Sequence, residues 1–148
     1  MEQWQIDVCV IVALGGLWYM FSWIKEKRRP KRVAVVEDSD DDFMLFKMFI
    51  HLDNVIIDRY RTADNLAIEF AKNRPDVVIV DYYLDGRIRG DDLIRFCDRI
   101  GIKSRLATGS EGPIGDLPEH RIFRKSPDQE YFDKLRNYIE LSINGAVA

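Results

Sequence analysis

The chain has 148 residues, a length that points to one domain and excludes a multidomain transcription factor or a large barrel enzyme. Apolar residues make up 47% and charged residues 32%, a balance that folds rather than staying disordered. The formal net charge of −3 is unevenly divided: six of the 22 basic and three of the 25 acidic residues fall in residues 1–32, leaving +3 there and −6 in the remainder. An acidic body argues against nucleic-acid binding, which rests on neutralising phosphates. Two cysteines, Cys9 and Cys97, are too few for a disulfide framework, and a reducing compartment fits the part holding Cys97.

Residues Val8–Ile24 (VCVIVALGGLWYMFSWI) contain no charge. Extended back to Trp4, the stretch has 21 residues and as a helix would span about 30 Å, the thickness of a bilayer core. Trp4 sits at one end and Trp18, Tyr19 and Trp23 toward the other, where aromatic rings prefer the interface. KEKRRPKR follows directly, which sets the N-terminus outside and the body in the cytoplasm. A cleaved signal peptide needs a basic start and a small-residue cleavage site, and this chain has neither. A buried N-terminal helix is the other alternative. The expected organisation is a single-pass anchor over residues 1–24 in the cytoplasmic membrane, a basic linker over 25–31 and a folded domain over 32–148.

After Pro30, which stops a helix, the pattern alternates. Val33–Val36 is a short β-branched run, and Phe43 to Leu52 carry apolar residues at helical spacing after a run of aspartates suited to a helix start. Val55–Ile57 predicts a second strand and Ala63–Asn73 a second helix. Asp76–Asp81 (DVVIVD) reads as a strand buried on both faces. Asp91–Ile100 predicts a helix, Arg105–Thr108 and Arg121–Arg124 two weaker strands, and Gln129–Ile143 a helix facing inward through Tyr131, Phe132, Leu135, Tyr138, Ile139 and Ser142. Alternating strands and helices predict an α/β fold, a doubly wound parallel sheet of five strands with its site outside the C-terminal strand ends.

Those ends carry chemistry. The first strand ends in Glu37-Asp38, the third in Asp81, the fourth in Thr108 and the fifth in Lys125. Three carboxylates together need a cation. Hard oxygen ligands select Mg²⁺, which leaves room for phosphate oxygens. A hydroxyl and an ammonium opposite them suit the grip of a phosphoryl group. The set suits phosphoryl transfer to a carboxylate. Asp40–Asp42 read as solvated helix-start charge, Arg59 and Arg61 as an exposed strand face, and His51 and His120 as surface residues.

The segments VAVVEDSDDD, PDVVIVDYYLDG, LATGS and FRKSP, in that order across residues 32–143, resemble the receiver domain of response regulators in two-component signalling. The resemblance implies the flavodoxin-like strand order 2-1-3-4-5. It makes Asp81 the phosphoacceptor, and Asp38, Glu37 (through water), Asp81 and the backbone carbonyl of Tyr83 the Mg²⁺ site. Thr108 would contact the phosphoryl group and Lys125 would pair with it. The donor would be a histidine kinase or phosphotransfer protein, and the signal would pass to a downstream protein. Such a domain is no enzyme beyond its own phosphorylation and dephosphorylation.

Four departures stand against the pattern. The proline usual four residues after the phosphoacceptor is missing, and Gly90 comes late. Ser126 separates Lys125 from Pro127, so a cis bond at this point is disfavoured. The ten residues EGPIGDLPEH between the last two strands carry two glycines and two prolines, so the helix there is expected to be a single turn or absent. The family's switch aromatic is replaced by Ile122. These changes leave a second reading open, a pseudo-receiver that binds protein without phosphorylation. A phosphatase with an aspartyl-phosphate intermediate would carry its nucleophile on the first strand, which the order here rejects. With only five residues after Ile143, a stand-alone receiver is expected.

Overall fold

The computed structural model describes residues 29–145, together with Gly16 and residues 18–21. The chain divides at Pro30–Lys31 into two compact units. Of the first unit, residues 18–21 are helical and exposed. The rest of the expected anchor lies outside the described residues, among which no helix is long and apolar enough to cross a membrane.

The second unit runs β1 (Lys31–Val36), α1 (Asp40–Phe49), β2 (Val55–Tyr60), α2 (Leu66–Lys72), β3 (Val77–Asp81), α3 (Gly90–Arg99), β4 (Lys103–Thr108), a 3₁₀ turn (Glu119–Arg121), β5 (Ile122–Arg124) and α4 (Gln129–Ile143). The five strands form one parallel sheet in the order β2-β1-β3-β4-β5. The expected topology is thus present.

All five residues of the central strand β3 are buried, because both of its faces are covered. Strand periodicity splits its side chains between two cores. Val78 and Val80, with Ala34, Val36 and Leu106, pack against Leu66, Phe70, Leu93, Ile94 and Cys97. Val77 and Ile79, with Val33, Val35 and Ala107, pack against Phe46, Ile50, Phe132, Leu135 and Ile139. Burial pushes the Cys97 thiol up to about 12, so it stays protonated.

Boundaries differ from expectation where charged residues continue an element. β2 runs on through Asp58, Arg59 and Tyr60, because those charges find partners: Arg32 pairs with Asp58 at 2.6 Å, and Arg59 turns to the β1 end. The first helix ends at Phe49, and the second starts only at Leu66, after Asn65 adopts a left-handed conformation at φ 64°. α1 is capped by the Ser39 hydroxyl, which accepts from the Asp42 N–H, and three aspartates sit on its positive end.

As expected, the connection from β4 to β5 holds a 3₁₀ turn and no α-helix among the described residues. Arg124 takes over the holding role: its guanidinium donates to the Ser110 and Gly112 carbonyls at 2.6 and 2.7 Å and to both oxygens of Glu119 at 2.9 and 2.8 Å. The bond before Ser126 is trans, since the described residues contain no cis peptide.

Gly90 opens α3 against the end of β3. A Cβ there would lie 2.2 Å from the Asp81 carbonyl oxygen and 2.8 Å from the Tyr82 Cα. Gly90→Ala should therefore destabilise the domain by about 3 kcal/mol, the upper end of what overpacking costs, because backbone cannot yield as a side-chain tip can. A denaturant midpoint unchanged from wild type would contradict this packing.

Candidate functional site at the strand ends

The parallel sheet delivers Glu37, Asp38 and Asp81 to one place. Val36 stands opposite Val80, so the residues after each fall side by side. Carboxylate oxygens of Glu37, Asp38 and Asp81 lie within 4.8 Å of one another. Glu37 and Asp81 are buried and Asp38 is half-buried. Hard anionic oxygens gathered this closely, in excess over nearby cations, fit a divalent ion such as Mg²⁺.

Lys125, just after β5, reaches across the sheet to this cluster. Its ammonium lies 2.8 Å from Asp81 Oδ1, 2.7 Å from Glu37 Oε2 and 2.6 Å from Asp42 Oδ2. Burial alone would depress the lysine; hydrogen bonds to Asp42, Asp81 and Glu37 outweigh it and raise the pKa. The carboxyls respond the other way. Burial raises both Glu37 and Asp81, while the contact with Lys125 opposes the rise. The Tyr83 backbone N–H adds a further bond that favours ionised Asp81.

The remaining expected residues stand nearby in different relations. Thr108 ends β4 fully buried, and its neighbour Ala107 stands opposite Asp81. The Thr108 hydroxyl accepts from the Ser110 N–H at 3.1 Å, and its carbonyl accepts from the Lys125 N–H at 2.8 Å. Its side chain therefore faces the loop, while Lys125 occupies the carboxylate cluster. Tyr83 is exposed and contributes through its backbone. The Asp85 N–H donates to Asp38 Oδ2 at 3.0 Å, which ties the loop after β3 to the loop after β1.

Two sequence readings need correction. Asp42 is no solvated helix-start charge: it is the third carboxylate on Lys125. Arg59 is no exposed strand face, since its side chain is only 16% exposed. It donates to the Glu37 and Asp38 carbonyls at 3.0 Å each and pairs with Asp40 at 2.5 Å. Arg61 joins it on Asp40. These arginines brace the backbone that carries two of the three clustered carboxylates. No spacing rule connects residue 59 with residue 37; only the pairing of β1 with β2 does. His51 and His120 are exposed, as expected.

The crevice continues into a cavity of about 250 Å³ between α1 and α4. Glu37, Asp42, Asp81 and Lys125 lie on its polar side and Phe46 and Phe132 on its apolar side.

No protein-family model matches the sequence, and no curated protein matches it. Solved structures do resemble it. A CheY-like response regulator receiver domain protein from Methanospirillum hungatei superposes with a TM-score of 0.61 at 13% identity, over 79% of this chain and 99% of that one. The response regulator domain of Thermotoga maritima CheB gives 0.55 at 17% identity, over 80% and 96%. A response regulator receiver domain protein from Bacillus halodurans gives 0.53 at 15%, over 77% and 97%. The fold is the receiver fold.

The site yields a direct test of its counter-ion. Lys125→Met would leave Glu37 and Asp81 buried beside each other without an opposing charge. The variant should lose about 3 kcal/mol of stability in chelator, and Mg²⁺ should restore part of the loss. An unchanged unfolding midpoint would show that Lys125 is dispensable to the cluster.

Proposed function

We propose that this chain is a phosphoreceiver in which Asp81 accepts a phosphoryl group from a phosphohistidine donor, a histidine kinase or phosphotransfer protein. The observation that carries the reading is the convergence of Glu37, Asp38 and Asp81 under Lys125. A receiver fold alone would carry less, because folds host many functions.

Mg²⁺, held by Asp38, Asp81, the Tyr83 carbonyl and, through water, Glu37, would supply the positive charge that phosphoryl oxygens need. The protein's own groups do the rest. Lys125 and the Tyr83 N–H oppose the effect of burial and favour the Asp81 carboxylate, the form able to attack. One Asp81 oxygen bonds to phosphorus as the phosphorus–nitrogen bond of the donor breaks, its electron pair leaving on the imidazole. The new group is more anionic than the carboxylate it replaces. Lys125, now shared among three carboxylates, then has a stronger partner in the phosphoryl oxygens, and Thr108 offers a hydroxyl from the next strand end. The chemistry ends with this acyl phosphate and its hydrolysis, and the modified domain acts by binding or releasing a downstream protein.

The connection stripped of its helix, with Ile122 at the switch position, favours a second reading: a pseudo-receiver that binds protein without being phosphorylated. Acetyl phosphate separates the two. With Mg²⁺, the intact protein should gain one phosphoryl group by mass spectrometry, and none in chelator or in Asp81→Asn. Asp38→Ala should abolish Mg²⁺ binding and, with the ion, the labelling. Labelling of Asp81→Asn at the wild-type rate would remove Asp81 from its role, and no labelling of wild type would favour the pseudo-receiver.

The apolar run of Val8–Ile24 and the basic segment after it support a membrane-tethered form, with the receiver in the cytoplasm. The full-length chain should stay in the membrane fraction through carbonate washing. Removing residues 1–29 should leave a domain with a cooperative melt. Release of the full-length chain by carbonate would overturn the spanning helix.

A further inference from the structure

β5 has three residues and pairs only with Leu106–Thr108. Along the same edge, the first half of β4, Lys103–Arg105, has no strand beside it among the described residues. The gap is a cavity of about 260 Å³ lined by Asp98, Lys103, Ser104, Arg105, Arg121 and Tyr138. It lies at the start of β4, a strand's length of roughly 16–20 Å from the Thr108 end where the acidic crevice opens.

Two polar atoms in its lining are buried without a partner, and a third group, the Arg105 guanidinium, is sparsely bonded. Tyr138 is 8% exposed, and its hydroxyl is buried without a hydrogen-bond partner. The Nε of Arg121 is buried without one as well, although the same guanidinium donates to Asp98 at 2.8 and 3.3 Å and to the Ser104 hydroxyl at 3.2 Å. The Arg105 guanidinium lies 4.5 Å above the Tyr138 ring and, among the described residues, donates to the Ser104 carbonyl at 3.1 Å. No carboxylate lies within ion-pair distance of Arg105 among the described residues. Burial lowers its pKa, and the more distant Asp98 only partly offsets the effect.

Buried donors are nearly always paired, and leaving one unpaired is costly. Here two such donors, the Arg121 Nε–H and the Tyr138 hydroxyl, share one small space. Two guanidinium groups, of Arg105 and Arg121, face it, and the Asp98 carboxylate in the lining is bound to Arg121, in a body whose net charge is −6. Guanidinium forks match the planar oxygens of carboxylate and the tetrahedral oxygens of phosphate. The volume is below the usual range for drug-sized ligands, so a nucleotide would not fit and a small oxyanion would.

We propose that this cavity is a binding site for a small oxyanion, a phosphate or a small carboxylate. Arg105 and Arg121 supply the charge, and the Tyr138 hydroxyl supplies a neutral donor. The site shares no lining residue with the cavity at the strand-end crevice.

Isothermal titration of the full-length protein in detergent and chelator tests this, with inorganic phosphate and acetate in separate arms at constant ionic strength. Chelator removes any metal-dependent binding at the acidic crevice. The expected result is saturable millimolar or tighter binding in at least one arm, weakened about tenfold or more by Arg105→Gln. Tyr138→Phe should weaken it as well while leaving the melting temperature unchanged or higher, since its hydroxyl has no partner to lose. That second variant decides the matter alone if Arg105→Gln fails to fold. Binding that persists in Asp81→Asn places it away from the crevice. Two flat titrations would mean that water alone fills the cavity and would overturn the proposal. So would binding that both cavity variants retain at full strength.

Discussion

One ammonium group holds the upper end of this domain together. Lys125 bridges the end of β5 to the ends of β1 and β3 and to the first turn of α1. Without it, the strand order 2-1-3-4-5 would bring buried carboxylates together with nothing to oppose them, a costly arrangement. With it, the cluster can exist before any metal or phosphoryl group arrives. The same bonds make Lys125 a group already committed, whose partners must be exchanged rather than merely added when the local charge changes.

The bracing around this centre comes from the opposite edge. Arg59 on β2 grips the carbonyls of Glu37 and Asp38, and Asp85 grips the Asp38 side chain through its N–H. The loops after β1 and β3 are thus fixed to each other and to an edge strand. Gly90 presses the start of α3 onto the carbonyl of Asp81 itself. Position, rather than any unusual residue type, is what the fold supplies to these carboxylates.

Much of this was legible in the sequence. DVVIVD announces a central strand by being apolar without alternation, the acidic pair, the lone aspartate and the threonine each stand one step beyond an apolar run, and the lysine stands one charged residue further, after Arg124. The roles of Asp42 and Arg59 were not legible. A charge in the first turn of a helix or midway along an edge strand looks solvated until the partner element is placed beside it, and those partners are distant in sequence. β2 extends past Ile57 for the same reason: Asp58 and Arg59 are charged, and only their pairing shows that the strand continues. The cavity under β5 had no sequence signal, because Arg105, Arg121 and Tyr138 belong to three separate elements.

In the link from β4 to β5, one side chain stands where a helix would otherwise pack, and the mechanical character of the segment changes with it. A helix packed on a sheet is held by many small contacts and loosens by degrees. Here four hydrogen bonds from the Arg124 guanidinium gather two carbonyls and a carboxylate at a single point. A fastening concentrated in this way is either engaged or released, with few arrangements between. The segment it holds begins directly after Thr108, and its fastener is the residue directly before Lys125. The fastening is therefore adjacent to the site on both of its flanks.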